Sequence, residues 1–105
     1  MKTHRIIPAL LATAVSAFVS QAFAHEAPTG WQYPASCCHN RDCRPVPAAT
    51  VKEGPDGYRI TISHETLPYG DTRVKNSPDG LYHWCTSNGS DSGPTICLYV
   101  PPRAY

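Results

Sequence analysis

The sequence predicts an all-β fold: a small, disulfide-stabilised antiparallel meander or barrel-like sheet, preceded by an irregular cysteine-rich segment. Three observations carry this. Tyr58, Ile60 and Ile62 alternate with Arg59, Thr61 and Ser63, the period-2 pattern of a half-buried strand. Pro-Asp-Gly occurs twice between short alternating runs, in Gly54-Pro55-Asp56-Gly57 and Ser77-Pro78-Asp79-Gly80. In each, proline fixes φ and glycine supplies the positive φ that tight reversals use. No stretch beyond residue 24 sustains a helical period.

The N-terminal residues belong to a different class. Lys2, His4 and Arg5 give a basic start, residues 6–19 are mostly apolar, and Ala22 and Ala24 occupy the small-residue positions of a cleavage site. Residues 1–24 are therefore expected to be a secretory signal peptide, with cleavage after Ala24. An apolar run of 14 residues is short of the roughly 20 that span a bilayer. No integral membrane anchor is expected after cleavage, and export to the periplasm or the medium follows. Residues 25–105 then form one small Cys-rich β domain.

Removing 24 of the 105 residues leaves 81 and takes away Lys2 and Arg5. The formal charge changes from +1 to −1, seven basic residues against eight acidic, which excludes a nucleic-acid binder with a basic face. The length excludes a two-domain enzyme. The remaining chain holds only ten Val, Ile and Leu residues. A core that thin normally needs covalent staples, and all five cysteines lie in this part. In an oxidising compartment they read first as disulfides.

Residues 49–53 are expected to pair with the Tyr58 strand as a hairpin across the first Pro-Asp-Gly turn. By the same logic, residues 72–76 and 81–86 pair across the second. The 81–86 strand places Leu81, His83 and Cys85 on one face, opposite Tyr82 and Trp84. The last strand, residues 95–100, sets Ile96, Leu98 and Val100 against Cys97 and Tyr99. Residues 87–94, rich in Ser, Gly, Asn, Asp and Pro, form the loop between them. Cys85 and Cys97 then face each other across the ladder, and a Cys85–Cys97 bridge is the preferred disulfide. Pro101-Pro102 ends the sheet.

Cys37-Cys38-His39-Asn40-Arg41-Asp42-Cys43 is the densest chemistry in the chain. Read structurally, Cys43 joins Cys37 or Cys38, and the remaining cysteine is buried or paired with another chain, giving a monomer or a disulfide-linked dimer. Asp42 and Arg41 are solvated or tied to backbone, and His83 is a half-exposed strand histidine. Read functionally, Cys37, Cys38, His39 and Cys43 are thiolate and imidazole ligands of the kind that copper and zinc prefer. The two readings compete for the same sulfur atoms. Cleavage would also make His25 the first residue, pairing an α-amino group with an imidazole. That is a copper brace if His39, His64 or His83 completes it, and a frayed terminus otherwise. Trp31, Tyr33, Tyr69, Tyr82, Trp84 and Tyr99 are expected to serve as core rather than as a ligand patch.

No Gly-rich phosphate loop, paired catalytic acids or Cys-x-x-Cys motif is present. A Cys–His pair of His83 with Cys38 or Cys85 lacks a signature around it, so no enzyme is expected. Tyr33-Pro34-x-x-Cys37-Cys38, Asp42-Cys43-x-Pro45, Ser77-Pro78-Asp79-Gly80-x-Tyr82-His83-x-Cys85 and Cys97-Leu98-Tyr99-Val100-Pro101 together resemble a group of small, hypothetical exported proteobacterial proteins. The resemblance implies export and a single Cys-rich domain, with no activity to carry over. The expected function is that of an exported, disulfide-stabilised, non-enzymatic binding or envelope protein. The alternative is a periplasmic protein that binds copper or another transition metal through Cys37, Cys38, His39 and Cys43 or through His25, with His83 as a further candidate ligand.

Overall fold

The computed structural model describes residues 25–102; the expected signal peptide lies outside them. Seven strands follow in order: β1 (Cys43–Val46), β2 (Val51–Gly54), β3 (Gly57–Ile60), β4 (Glu65–Leu67), β5 (Val74–Asn76), β6 (Tyr82–Thr86) and β7 (Thr95–Val100). Apart from two single 3-10 turns, the described residues contain no helix, and none that is long and apolar enough to cross a membrane. The all-β expectation holds.

The first hairpin forms as expected. β2 pairs with β3 with Val51 opposite Ile60 and Gly54 opposite Gly57, and β4 adds to β3 to complete a three-stranded antiparallel meander. Gly57 has φ +134°, and a Cβ there would lie 2.1 Å from the Leu67 carbonyl oxygen, so the position accepts only glycine. The strand is shorter than its alternation suggests. The His64 amide bonds back to the Ile60 carbonyl at 2.8 Å, the chain turns at Ile60, and Ile62 is left 44% exposed rather than facing inward.

The second sheet has the order β1-β6-β7-β5 and corrects the second expected hairpin. The Ser77–Gly80 turn does reverse the chain, but β5 and β6 are not neighbours. β7 lies between them, antiparallel to β6 and parallel to β5, with Val74 opposite Leu98. The reason is apolar content: β7 is the longest strand and has apolar residues on both faces, whereas Val74-Lys75-Asn76 has one apolar residue and suits an edge.

This four-stranded sheet is covered on both faces. Trp84, Leu98 and Val100 pack against Val51, Tyr58, Ile60 and Leu67 of the meander. On the opposite face Cys43, Cys85, Cys97 and Tyr99 meet Ala27, Tyr33, Cys37 and Cys38 of the N-terminal segment. The β6 and β7 rows fall as the alternation predicts except at Ile96, which packs on the cysteine face, where a register shift between Cys85 and Thr86 breaks the alternation.

The disulfides do not. Cys37 bonds Cys97 and Cys43 bonds Cys85, which overturns both the Cys85–Cys97 bridge and the knuckle joining Cys43 to Cys37 or Cys38. Cys85 is opposite Cys97 in the β6–β7 register and opposite Cys43 in the β1–β6 register. Three cysteines thus stand in a row across three strands, and the middle one can bridge only one neighbour. Cys85 takes Cys43, and Cys97 reaches up to Cys37 in the covering segment. Cys38 is unbridged and 2% exposed. The described residues therefore present no exposed thiol for an interchain bond.

Candidate functional site: the polar chain under the N-terminal segment

The segment from His25 to Asp42 is held by local bonds as well as by Cys37–Cys97. Glu26 and Gln32 form an isolated antiparallel bridge, and the Ala27 amide donates to the Trp31 carbonyl at 2.8 Å. The expected frayed terminus is therefore a small closed loop, with Ala27 buried. The Pro34 carbonyl accepts from the amides of both Cys37 and Cys38, at 2.9 and 3.1 Å, and so anchors the adjacent cysteines on one turn. Asp42 is buried and accepts from the amides of His39 (2.9 Å) and Asn88 (2.8 Å), tying this segment to the β6–β7 loop. Arg41 is exposed.

Beneath the segment lies a polar chain that no single motif announced. His83, placed by β6 on the covered face, is 0% exposed rather than half exposed. Its Nδ1 lies 2.7 Å from the Tyr33 hydroxyl and its Nε2 2.9 Å from both oxygens of Asp79. Asp79 also accepts from Thr29 Oγ1 (2.6 Å), Trp31 Nε1 (2.9 Å), Ser77 Oγ (2.7 Å) and the Leu81 amide (3.0 Å). An acceptor-only carboxylate requires a proton on Nε2, and in that neutral tautomer Nδ1 is the acceptor for the Tyr33 hydroxyl.

Burial raises the Asp79 pKa, but the donors Thr29, His83, Trp31 and Ser77 outweigh it and hold the carboxyl well below the usual range. Burial, reinforced by the Asp79 charge, pushes the Tyr33 phenol above its ordinary value. Trp31, Tyr33, Tyr99 and His83 close around the chain edge to face, with centroids about 5–6 Å apart. Trp84, Tyr58 and Tyr69 belong to the other side of the sheet, so the six rings do not make one ligand patch.

The order carboxylate, imidazole, hydroxyl is that of a catalytic triad, but the access is not. Tyr33 and His83 are closed to solvent, and catalysis needs a nucleophile that substrate can reach. The chain locks the N-terminal segment to the sheet. Asp79, Tyr33 and Thr29 were missed as partners; the spacing of Asp79 and His83, four residues apart in one motif, is the signal that pairs two of them.

The expected metal ligands scatter. Cys37 and Cys43 are spent in disulfides, His39 is exposed, both ring nitrogens of His83 are bonded, and His64 lies on the β3–β4 turn beside Arg59. None of His39, His64 or His83 completes a brace, and no group of three His, Cys, Asp or Glu side chains gathers among the described residues. His25 and Cys38 do meet: Nδ1 and Sγ are 3.3 Å apart. Cys38 thus has His25, and not His83, as its imidazole partner.

Burial raises the Cys38 thiol pKa, against the opposing pull of amide hydrogen bonds from Cys43 and Asp42. A depression of about 180 Å³ at the β2–β3 turn, lined by Gly54, Pro55, Asp56, Gly57, Arg59 and Thr66, is smaller than the roughly 300 Å³ from which small-molecule pockets begin. No family model, curated protein or solved structure matches this chain.

Proposed function

We propose that this chain is a small exported module, periplasmic or secreted, that acts by binding at its surface rather than by catalysis. One observation carries the reading: four of five cysteines are spent on two long-range disulfides, Cys43–Cys85 tying β1 to β6 and Cys37–Cys97 clamping the N-terminal segment over the Asp79–His83–Tyr33 chain. Persistent disulfides belong to oxidising compartments. The residues best suited to acid–base or nucleophilic chemistry support the fold and do not face solvent. Transition-metal binding is the second reading, favoured by the approach of His25 Nδ1 to Cys38 Sγ.

The test is expression of the full chain in a Gram-negative host, followed by fractionation, intact mass and thiol counting. The proposal expects periplasmic or secreted material beginning at His25, four hydrogens lighter than the reduced chain, with one thiol that alkylates only after denaturation. Cytoplasmic protein that keeps residues 1–24 and five reactive thiols overturns it.

A further inference from the structure

His25 Nδ1 and Cys38 Sγ face each other at 3.3 Å, and the Asn40 carbonyl oxygen is hydrogen-bonded to that same Nδ1 and lies 3.5 Å from the sulfur. Three donors of different chemistry thus converge at one corner of the molecule. Two ligands of a tetrahedral ion, nitrogen at about 2.0–2.1 Å and sulfur at about 2.3 Å, sit roughly 3.5 Å apart. The observed separation is close to that ligand-to-ligand distance. The ring nitrogen involved is the consequential one. Nδ1 and the α-amino nitrogen of the same histidine close a six-membered ring on a metal, whereas Nε2 cannot.

Supporting contacts hold the pair in place. Tyr33 packs edge-on to the His25 ring, with centroids 5.0 Å apart, and is itself fixed by His83. The Cys43 amide donates to Cys38 Sγ at 3.3 Å, an orientation that suits a thiolate. The sulfur is shut in, while His25 is only partly buried and Asn40 is exposed, so an ion has a way in from the His25 side.

We propose that cleavage after Ala24 completes a mononuclear site for a thiophilic ion of the Zn(II) or Cu(I) class, held by the α-amino nitrogen and Nδ1 of His25 and by Cys38 Sγ. The inference rests on the export reading, since the amine exists only after cleavage. Binding releases the thiol proton and the proton of the α-ammonium group to solvent and moves the imidazole proton to Nε2; nothing is oxidised or reduced. The fourth position lies toward Asn40 and solvent. Adjacent Cys37 and Cys38 thereby divide the work, one bridging to Cys97 and the other keeping its sulfur for the ion.

The experiment takes the processed protein from the host, reads its first residue by intact mass, and titrates it with Co(II) as a spectroscopic substitute for Zn(II). One equivalent is expected to produce a near-ultraviolet sulfur-to-cobalt charge-transfer band that Zn(II) removes. Cys38→Ser should abolish the band. A glycine inserted ahead of His25, which leaves the core untouched, should weaken binding by about tenfold or more. A protein that begins at His25 and gives no band overturns the site but leaves the export reading intact. A band that survives Cys38→Ser, or unchanged affinity after the glycine insertion, overturns the ligand set. A first residue other than His25 overturns both the processing and the site that depends on it.

Discussion

Asp79→Asn is the substitution that most directly tests the polar chain. The side chain keeps its shape and loses one property, the ability to accept on both atoms. Every partner of Asp79 in the structure is a donor: Ser77 Oγ and the Leu81 amide on one oxygen, Thr29 Oγ1 and Trp31 Nε1 on the other, and His83 Nε2 on both. Hydroxyls can turn round and accept, but the Leu81 and Trp31 N–H groups cannot. Whichever way the asparagine amide is flipped, its NH2 meets one of them. The Leu81 contact is exposed and the Trp31 contact part-buried, so the amide turns its NH2 toward Leu81, whose N–H water can reach. The cost is then mainly the lost hydrogen bond to a charged acceptor, about 1.5–3 kcal/mol. A loss of about 2 kcal/mol follows, or roughly 8–16 °C in Tm for a domain of this size. Urea unfolding with the disulfides intact measures it, with the exposed turn residue Asp56→Asn as a control expected within about 0.5 kcal/mol of wild type. If Asp79→Asn unfolds within 1 kcal/mol of wild type (about the span of an ordinary surface change), the acceptor-only account is refuted.

The same carboxyl sets an acid limb. Its folded pKa is depressed, so its contribution is fully present above the unfolded value of about 3.9 and is lost as pH falls toward the lower folded value. Stability of the wild type should decline below about pH 4, and Asp79→Asn should flatten that decline in unfolding curves measured across the range. Removing the outer bridge by Cys37→Ala with Cys97→Ala should cost about 3 kcal/mol. The two cysteines are 60 residues apart, but Cys43–Cys85 already shortens the path between them to about 20 residues. Limited proteolysis should then cut within the N-terminal segment before the sheet. Gly57→Ala should destabilise by about 2–4 kcal/mol, through positive-φ strain and the clash with the Leu67 carbonyl, and denaturant midpoints would show it.

Local chemistry was legible in the sequence wherever a local interaction decides the outcome. The Gly54–Gly57 turn and the Tyr58/Ile60 alternation specify a hairpin whose two strands are joined directly, and that hairpin forms. The Ser77–Gly80 turn is equally readable as a reversal. Its strand partners depend on which strand has two apolar faces, and this is settled only when β7 inserts between β5 and β6. The facing row of Cys43, Cys85 and Cys97 shows the same limit: alternation puts Cys85 and Cys97 on one face, but β1 brings a competitor that spacing cannot reveal. His83 was misjudged as half exposed because nothing in a Pro-rich, aperiodic segment signals that it will lie across a sheet. Asp79 was readable as a turn residue, and its second use as the acceptor for five donors arises only from that covering.

The two bridges are nested, Cys37–Cys97 outside and Cys43–Cys85 inside. A polypeptide emerges from its N-terminus, so Cys37, Cys38 and Cys43 arrive together, and 42 residues separate Cys43 from its native partner. During that interval the only oxidations open to the chain are wrong ones. Correct pairing must therefore wait for β6 and β7 to assemble, or must be reached by reshuffling, in which the thiol of Cys38 is the nearest intramolecular nucleophile. The order of synthesis runs against the order of bonding. Reoxidation of the full-length reduced chain, with and without a disulfide isomerase, would show how heavily its yield depends on that correction.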